Sequence, residues 1–205
     1  MVEEQLVPRG IENENVLKAF RNVPRHEFVP EDQRDSAYAD HPLPIGKGQT
    51  ISQPYIVAEM ISALEPEKGD RVLEIGLGSG YAAALLAEIV ENVYAIERVP
   101  ELTEKAEDVF NSLNYKNIVV KTGDGTKGWP EKAPFDCVLV SAAAPDVPDV
   151  LLKQLVNNGV IVIPAGEKMV QQLWKVTRKG EEKFSREKMG AVRFVPLIGE
   201  KGWKF

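Results

Sequence analysis

The sequence predicts a doubly wound α/β fold: a mainly parallel sheet with helices on both faces, an antiparallel edge and an N-terminal helical extension. Three observations carry this expectation. From Tyr55 onward, short apolar runs alternate with segments whose apolar residues recur at helical spacing. Three glycines in five residues, Gly76, Gly78 and Gly80, follow the first apolar run and open the next helix. The last two β-rich runs, 171–178 and 191–198, have no helical segment between them.

Each element has its own signal. Residues 1–55 mix Pro, charge and short apolar pieces, and one helix is expected near 15–21, with Val16, Leu17 and Phe20 on one face. Ile56, Val57, Met60, Ile61 and Leu64 mark a second helix, and Pro54 suits its first turn. Residues 71–75 (RVLEI) read as a buried strand, and Ala82, Leu85, Leu86 and Ile89 as the helix after the glycines. A strand over 92–97 (NVYAIE) precedes a helix carrying Leu102, Ala106, Val109, Phe110 and Leu113. Strands follow at 118–122 and 135–140. A helix is expected over 148–156, stopped by Asn157-Asn158-Gly159, and a strand over 159–164. The charged stretch RKGEEKFSREK (178–188) reads as a solvated hairpin loop. Right-handed crossovers then place a ligand crevice at the C-terminal ends of the strands. One domain over 1–205 is expected, with 56–205 as the core and 1–55 as an extension.

Composition narrows the function. Apolar residues make up 43% and charged residues 27%, which excludes a disordered, collagenous or coiled-coil chain. No window approaches the run of about 18 apolar residues that a spanning helix requires, and MVEEQLVPRG has no apolar h-region, so neither membrane nor secretion is expected. Counting 25 Lys+Arg against 31 Asp+Glu gives a net charge of −6, which argues against a nucleic-acid partner. A single cysteine, Cys137, excludes an intrachain disulfide framework and a multi-cysteine zinc site. Within FDCVLV it reads as a buried structural thiol. With His26 and His41 the only histidines, no metal is expected. The expectation is a soluble, cytoplasmic, metal-free protein.

The glycine loop, Glu74-Ile75-Gly76-Leu77-Gly78-Ser79-Gly80-Tyr81, allows a nucleotide-type ligand to approach the backbone closely. A dinucleotide fingerprint places its third small residue where Tyr81 stands, and Gly80 comes one position early. Glu74 beside the loop repels a diphosphate and attracts a cation. S-adenosylmethionine carries a sulfonium and an ammonium and no phosphate, so the local chemistry favours it over NAD. Glu97 ends the second strand about 20 residues past the first loop glycine, where an acid accepts both ribose hydroxyls in either cofactor type. Asp124-Gly125 follows the third strand at the same sheet edge. Asp124 can accept an adenine amino group with Gly125 leaving room for the ring, or the pair can be an ordinary Asp-Gly turn.

These residues match a known family. VLEIGLGSGY, YAIE and FDCVLVSAAAP resemble the class I S-adenosylmethionine-dependent methyltransferases. More narrowly, PRHEFVP (24–30), GKGQTISQPYIVAEM (46–60) and VRFVPLIGEKGW (192–203) resemble the protein-L-isoaspartate O-methyltransferases, with Leu77 and Ser141 standing where that family usually or often carries Thr. The resemblance implies a Rossmann-like methyltransferase sheet whose order departs from the usual one at its end. It also implies methyl transfer from S-adenosyl-L-methionine to the α-carboxylate of an L-isoaspartyl residue. The ester then collapses to a succinimide that partly reopens as aspartate. By the same resemblance Ser52 is the active-site serine, and Thr50, Ile51 and Gln53 beside it contact the substrate, so the N-terminal extension contributes to the substrate site. Glu74, Gly76, Gly78, Glu97, Asp124 and Gly125 are implied as cofactor contacts, with Gln171 as a further binding position. The implied partners are isoaspartyl-containing proteins and peptides, met by a monomer without nucleic acid or membrane. A small-molecule methyltransferase, or a module that binds S-adenosylmethionine without turnover, is the alternative.

The chemistry is consistent with the residues present. A carboxylate is already ionised at pH 7 and needs no general base to attack a sulfonium methyl, and the chain offers no obvious catalytic histidine or paired acid. Ser52 stands just before the Pro54 helix, where free N–H groups attract anions. Its hydroxyl can orient the substrate carboxylate or merely cap the helix.

Overall fold

The computed structural model describes residues 1–204. The N-terminal extension consists of helical turns at Val2–Leu6 and Val7–Arg9, helix α1 (Glu14–Asn22), and turns at Arg25–Phe28 and Glu31–Ser36. A hairpin of β1 (Leu43–Gly46) and β2 (Gln49–Ile51) ends it. Asn13 starts α1 by accepting from the N–H groups of Asn15 and Val16 at 3.0 and 3.3 Å. Val16, Leu17 and Phe20 are buried on its inner face, as the spacing predicted.

The core begins at α2 (Pro54–Leu64), with Pro54 in its first turn as expected. It continues through β3 (Arg71–Ile75), α3 (Tyr81–Ala87), β4 (Asn92–Glu97), α4 (Pro100–Ser112), β5 (Ile118–Thr122), β6 (Phe135–Val140) and α5 (Asp149–Leu152). Strands β7 (Leu155–Gly166), β8 (Gln171–Arg178) and β9 (Phe184–Val192) complete it. The seven-stranded sheet has the order β5-β4-β3-β6-β7-β8-β9. It is parallel through β7 and antiparallel at β8 and β9, which is the expected antiparallel edge.

Alternation along each strand sends successive side chains to opposite faces. Val72, Val93, Ala95 and Leu139 meet residues of α1–α4 on one face. Leu73, Ile75, Val138 and Ile161 meet Trp129, Leu151 and Leu152 on the other. Helices therefore flank both faces unequally: the second is covered by α5, a turn at Gly125–Lys127 and the segment around Trp129. Cys137 lies buried, its Sγ 3.4 Å from the Leu64 carbonyl oxygen, and burial pushes the thiol's pKa well up. No helix among the described residues is long and apolar enough to cross a membrane.

Two expectations need correction. The helix expected over 148–156 stops at Leu152, and Leu155 already pairs with Phe135. Strand β7 advances from Leu155 to Val160 while β6 advances only from Phe135 to Cys137, so Asn157-Asn158-Gly159 forms a bulge rather than a helix stop. Asn158 is left-handed (φ 64°), and a Cβ on Gly159 would lie 2.9 Å from the Asp136 carbonyl oxygen. The second correction concerns 178–188. Strand β9 begins at Phe184, so FSREK is paired strand and only Lys179–Lys183 forms the turn, closed by the Lys179 N–H to the Lys183 carbonyl at 2.7 Å. Conversely, 193–198 leaves the sheet. The Leu197 N–H donates to the Ala143 carbonyl, and the Ala143 N–H to the Val195 carbonyl, both at 2.8 Å. The chain thereby turns back across the C-terminal ends of the strands.

Candidate active site

The C-terminal ends of β3, β4 and β6 open into a cleft of about 360 Å³, within the range of small-molecule sites. Its floor is the glycine loop, tied to β4 by the Gly76 N–H to the Ile96 carbonyl at 2.9 Å. Gly80 shows why the loop needs glycine. Its φ is +88°, and a Cβ there would lie 2.6 Å from Phe110 Cζ on α4. One wall is the β1–β2 hairpin, which lies close enough that a Cβ on Gly78 would meet Ile45 Cδ1 at 3.5 Å. The other wall is the returning tail, Val195 to Ile198.

Three acids were expected here, and the structure brings two into the cleft. Glu97 reaches back to the loop: its Oε2 accepts from the Gly78 N–H at 2.9 Å, and its Oε1 from the N–H groups of Arg98 and Val99 at 2.8 and 2.9 Å. Glu74 is buried beside the loop, with Oε1 accepting from the Ser141 hydroxyl at 3.3 Å and Oε2 without a hydrogen-bond partner. Burial pushes its pKa up to about 8; the Ser141 hydroxyl and the nearby Ala83 N–H oppose the rise, and the neighbouring Glu97 carboxylate adds to it. A buried carboxylate with an unmet oxygen beside a cavity suits a cationic ligand.

Asp124 faces elsewhere. Its Oδ1 accepts from the Thr126 N–H and hydroxyl at 3.0 and 2.6 Å, and its Oδ2 from the Glu200 N–H at 2.9 Å. Burial alone would raise its pKa, but these bonds outweigh it and hold the carboxyl below its ordinary value. Asp124 thus starts the Asp-Gly turn and fastens the tail, while its neighbour Gly125 lines the cleft. A Cβ on Gly125 would lie 2.6 Å from Ile75 Cγ2. Gly125→Ala is therefore expected to overpack the cleft floor and cost about 1–3 kcal/mol of stability. An unchanged denaturation midpoint would contradict this packing.

Thr50, Ile51 and Ser52 line the cleft. Gln53 does not; its Nε2 donates to the Asp40 carbonyl at 3.1 Å. Gln171 also stands apart from the cleft. Its Nε2 donates to the carbonyls of Glu167 and Lys168 at 2.8 and 3.0 Å, and its Oε1 accepts from the Phe194 N–H at 2.8 Å, so it braces the turn before β8 and the start of the tail. Gln53, not Ser52, occupies the helix-capping position of α2, and no side chain caps that helix. The Ser52 hydroxyl makes no hydrogen bond to any described residue, although its carbonyl accepts from the Arg25 Nη2 at 2.7 Å. Tyr81 and Ser141, which the sequence marks only by their departure from a motif, and the tail residues Val195 to Ile198 also line the cleft. Only the motif VRFVPLIGEKGW signalled the tail.

Residues 1–202 match the family described as protein-L-isoaspartate(D-aspartate) O-methyltransferase. The protein-L-isoaspartate O-methyltransferase of Pelotomaculum thermopropionicum is 57% identical over 203 residues, covering 99% of this chain and 89% of its own. Protein-L-isoaspartate O-methyltransferase 2 of Pelobacter propionicus is 55% identical over 204 residues, covering 99% and 91%. A solved protein-L-isoaspartate O-methyltransferase superposes with a TM-score of 0.90 at 28% identity, over 98% of this chain and 67% of that one. A Plasmodium falciparum structure described as the same kind of enzyme, in complex with S-adenosyl-L-homocysteine, superposes with a TM-score of 0.82 at 26% identity over 96% of both chains. A match over residues 1–202, the glycine loop and the QTIS wall agree, and the chain belongs to the protein-L-isoaspartate(D-aspartate) O-methyltransferase family.

Proposed function

We propose that this protein repairs damaged proteins and peptides by transferring a methyl group from S-adenosyl-L-methionine to the α-carboxylate of their L-isoaspartyl residues. The observation that carries the reading is that one cleft joins the glycine loop and its two acids to the QTIS segment at the N-terminus of α2. The reading includes a single catalytic domain acting as a cytoplasmic monomer, with the N-terminal extension forming part of the substrate site. The net charge of −6 favours a protein partner over nucleic acid.

The cleft fits the cofactor's chemistry: Gly76 and Gly78 leave room for close approach, Glu97 lies at the strand end for the ribose, and Gly125 borders the space for the base. Glu74 presents an unmet carboxylate oxygen to the cationic end. The bound cofactor supplies a methyl group activated on a sulfonium. The chain's work is then to hold and align. Ser52 donates its hydroxyl to the substrate carboxylate, and the free N–H groups at the start of α2 attract the same anion. No residue has to remove a proton, because the carboxylate is ionised at neutral pH. Alignment of nucleophile, methyl and sulfur supplies the acceleration. The tail and the β1–β2 hairpin close two sides and limit water, which favours a reaction that neutralises an anion and a cation.

Incubation with S-adenosylmethionine and an isoaspartyl peptide should give a base-labile methyl ester, and S-adenosylhomocysteine in an amount equal to that ester plus the methanol released as it collapses. No ester from a folded preparation would contradict the reading. Glu74 gives a pH signature. With its pKa near 8 in the free protein, it is mostly protonated at pH 7. Pairing with a cation favours its ionised form, so binding releases a proton, and affinity rises as pH approaches 8 and levels off above it. Calorimetry in two buffers of different ionisation enthalpy should show that release, and Glu74→Gln should abolish it. Equal proton release by both proteins would remove Glu74 from the cation's contacts.

A further inference from the structure

Arg25 is fully buried, with no surface exposed to solvent. Buried arginines are normally paired with an acid, yet no carboxylate among the described residues lies within ion-pair distance of it. Its Nε donates to the Ala37 carbonyl and its Nη2 to the Ser52 carbonyl, both at 2.7 Å. Its Nη1 has no partner, and the guanidinium carbon lies 4.7 Å from the centroid of the Tyr81 ring. Burial lowers its pKa from the ordinary arginine value, and Tyr81 opposes that shift. The cation is therefore spent on two stretches of backbone and one aromatic face.

One of those stretches is the peptide of Ser52. The Ser52 side chain makes no hydrogen bond of its own, and α2 has no side-chain cap, so the place of its Cβ, and the arc its hydroxyl can reach, are set by its backbone. We infer that Arg25 is a positioning residue for methyl transfer, its rigid guanidinium fork fixing the Ser52 backbone and so the place in the cleft from which the Ser52 hydroxyl reaches the substrate carboxylate. The fork explains why arginine is used: Nε and Nη2 span two carbonyls from one planar group, which the single ammonium of lysine cannot reproduce. Tyr81 connects the arrangement to the glycine loop, since it opens α3 directly after Gly80 and its ring lies against Arg25.

The inference rests on the proposed role of Ser52, and a double-mutant cycle separates the two. Five proteins are compared: wild type, Arg25→Lys, Ser52→Ala, the double variant, and Arg25→Gln as a second, uncharged replacement. Melting temperature and S-adenosylhomocysteine affinity check the fold and the cofactor site. Kcat/KM for an isoaspartyl peptide is the readout. Arg25→Lys should bind S-adenosylhomocysteine like wild type and lose roughly 10- to 10²-fold in kcat/KM, the scale of a small misplacement. In the Ser52→Ala background the same substitution should cost little, because the hydroxyl it positions is gone. Equal losses in both backgrounds, no loss in either folded Arg25 variant, or loss of cofactor binding and folding by both would overturn the inference. An active wild type unaffected by Ser52→Ala would instead remove the Ser52 reading beneath it.

Discussion

Ser52→Ala is expected to lower kcat/KM for an isoaspartyl peptide by on the order of 10²-fold, the cost of losing one preorganised donor. Cofactor affinity should stay nearly intact, because Ser52 stands on the hairpin side of the cleft and not on the glycine loop. The structure also removes the competing expectation of a helix cap: α2 is preceded by Gln53 and carries no side-chain cap, and the Ser52 hydroxyl is unbonded. The loss of about 1 kcal/mol that follows removal of a cap is therefore not expected, and the melting temperature should hardly move. Activity should not vanish, since the backbone N–H groups of α2 remain. Melting temperature, cofactor Kd and kcat/KM measured on one preparation decide the matter. A destabilised but fully active variant would return Ser52 to a structural role.

Glu97→Ala is expected to weaken S-adenosylmethionine binding by about 1.5–3 kcal/mol, roughly 10- to 10²-fold, the range for hydrogen bonds to a charged group. The structure adds a second reason for the loss. Glu97 accepts from the Gly78 N–H at 2.9 Å, so it also holds the glycine loop in shape. Glu97→Gln keeps an acceptor for that N–H and should lose less. Calorimetry showing unchanged affinity in a folded Glu97→Ala protein would place the ribose elsewhere.

Signals written within one segment were read correctly. Strands β3, β4, β5 and β6 are compact runs bounded by turns or glycines, and their predicted limits match the structure. Glu74, Gly76, Gly78 and Glu97 belong to one strand–loop–helix–strand unit, so their convergence followed from local order. Signals that depend on distant partners were not legible. Strand β9 is largely exposed and charged on both faces, so its residues lack the alternation that marks a half-buried strand. The apolar spacing of Leu151, Leu152 and Leu155 mimics a helix, and only pairing of Leu155 with Phe135 on β6 turns the chain into strand. Asp124 was recognised at the right sheet edge, but its carboxylate is claimed by Glu200, far along the chain. Arg25 gave no chemical signal at all, because its partners, Ala37 and Ser52, are carbonyl groups that any residue could supply.

Recognition of the isoaspartyl linkage is what sets this proposed activity apart, and paired peptides test it. Two peptides of identical sequence, one with L-isoaspartate and one with L-aspartate at a single position, are incubated with the protein and methyl-labelled S-adenosylmethionine, and base-labile label is counted. Label is expected on the isoaspartyl peptide alone. Equal labelling of both peptides, or of neither by a protein that binds S-adenosylhomocysteine, would contradict it.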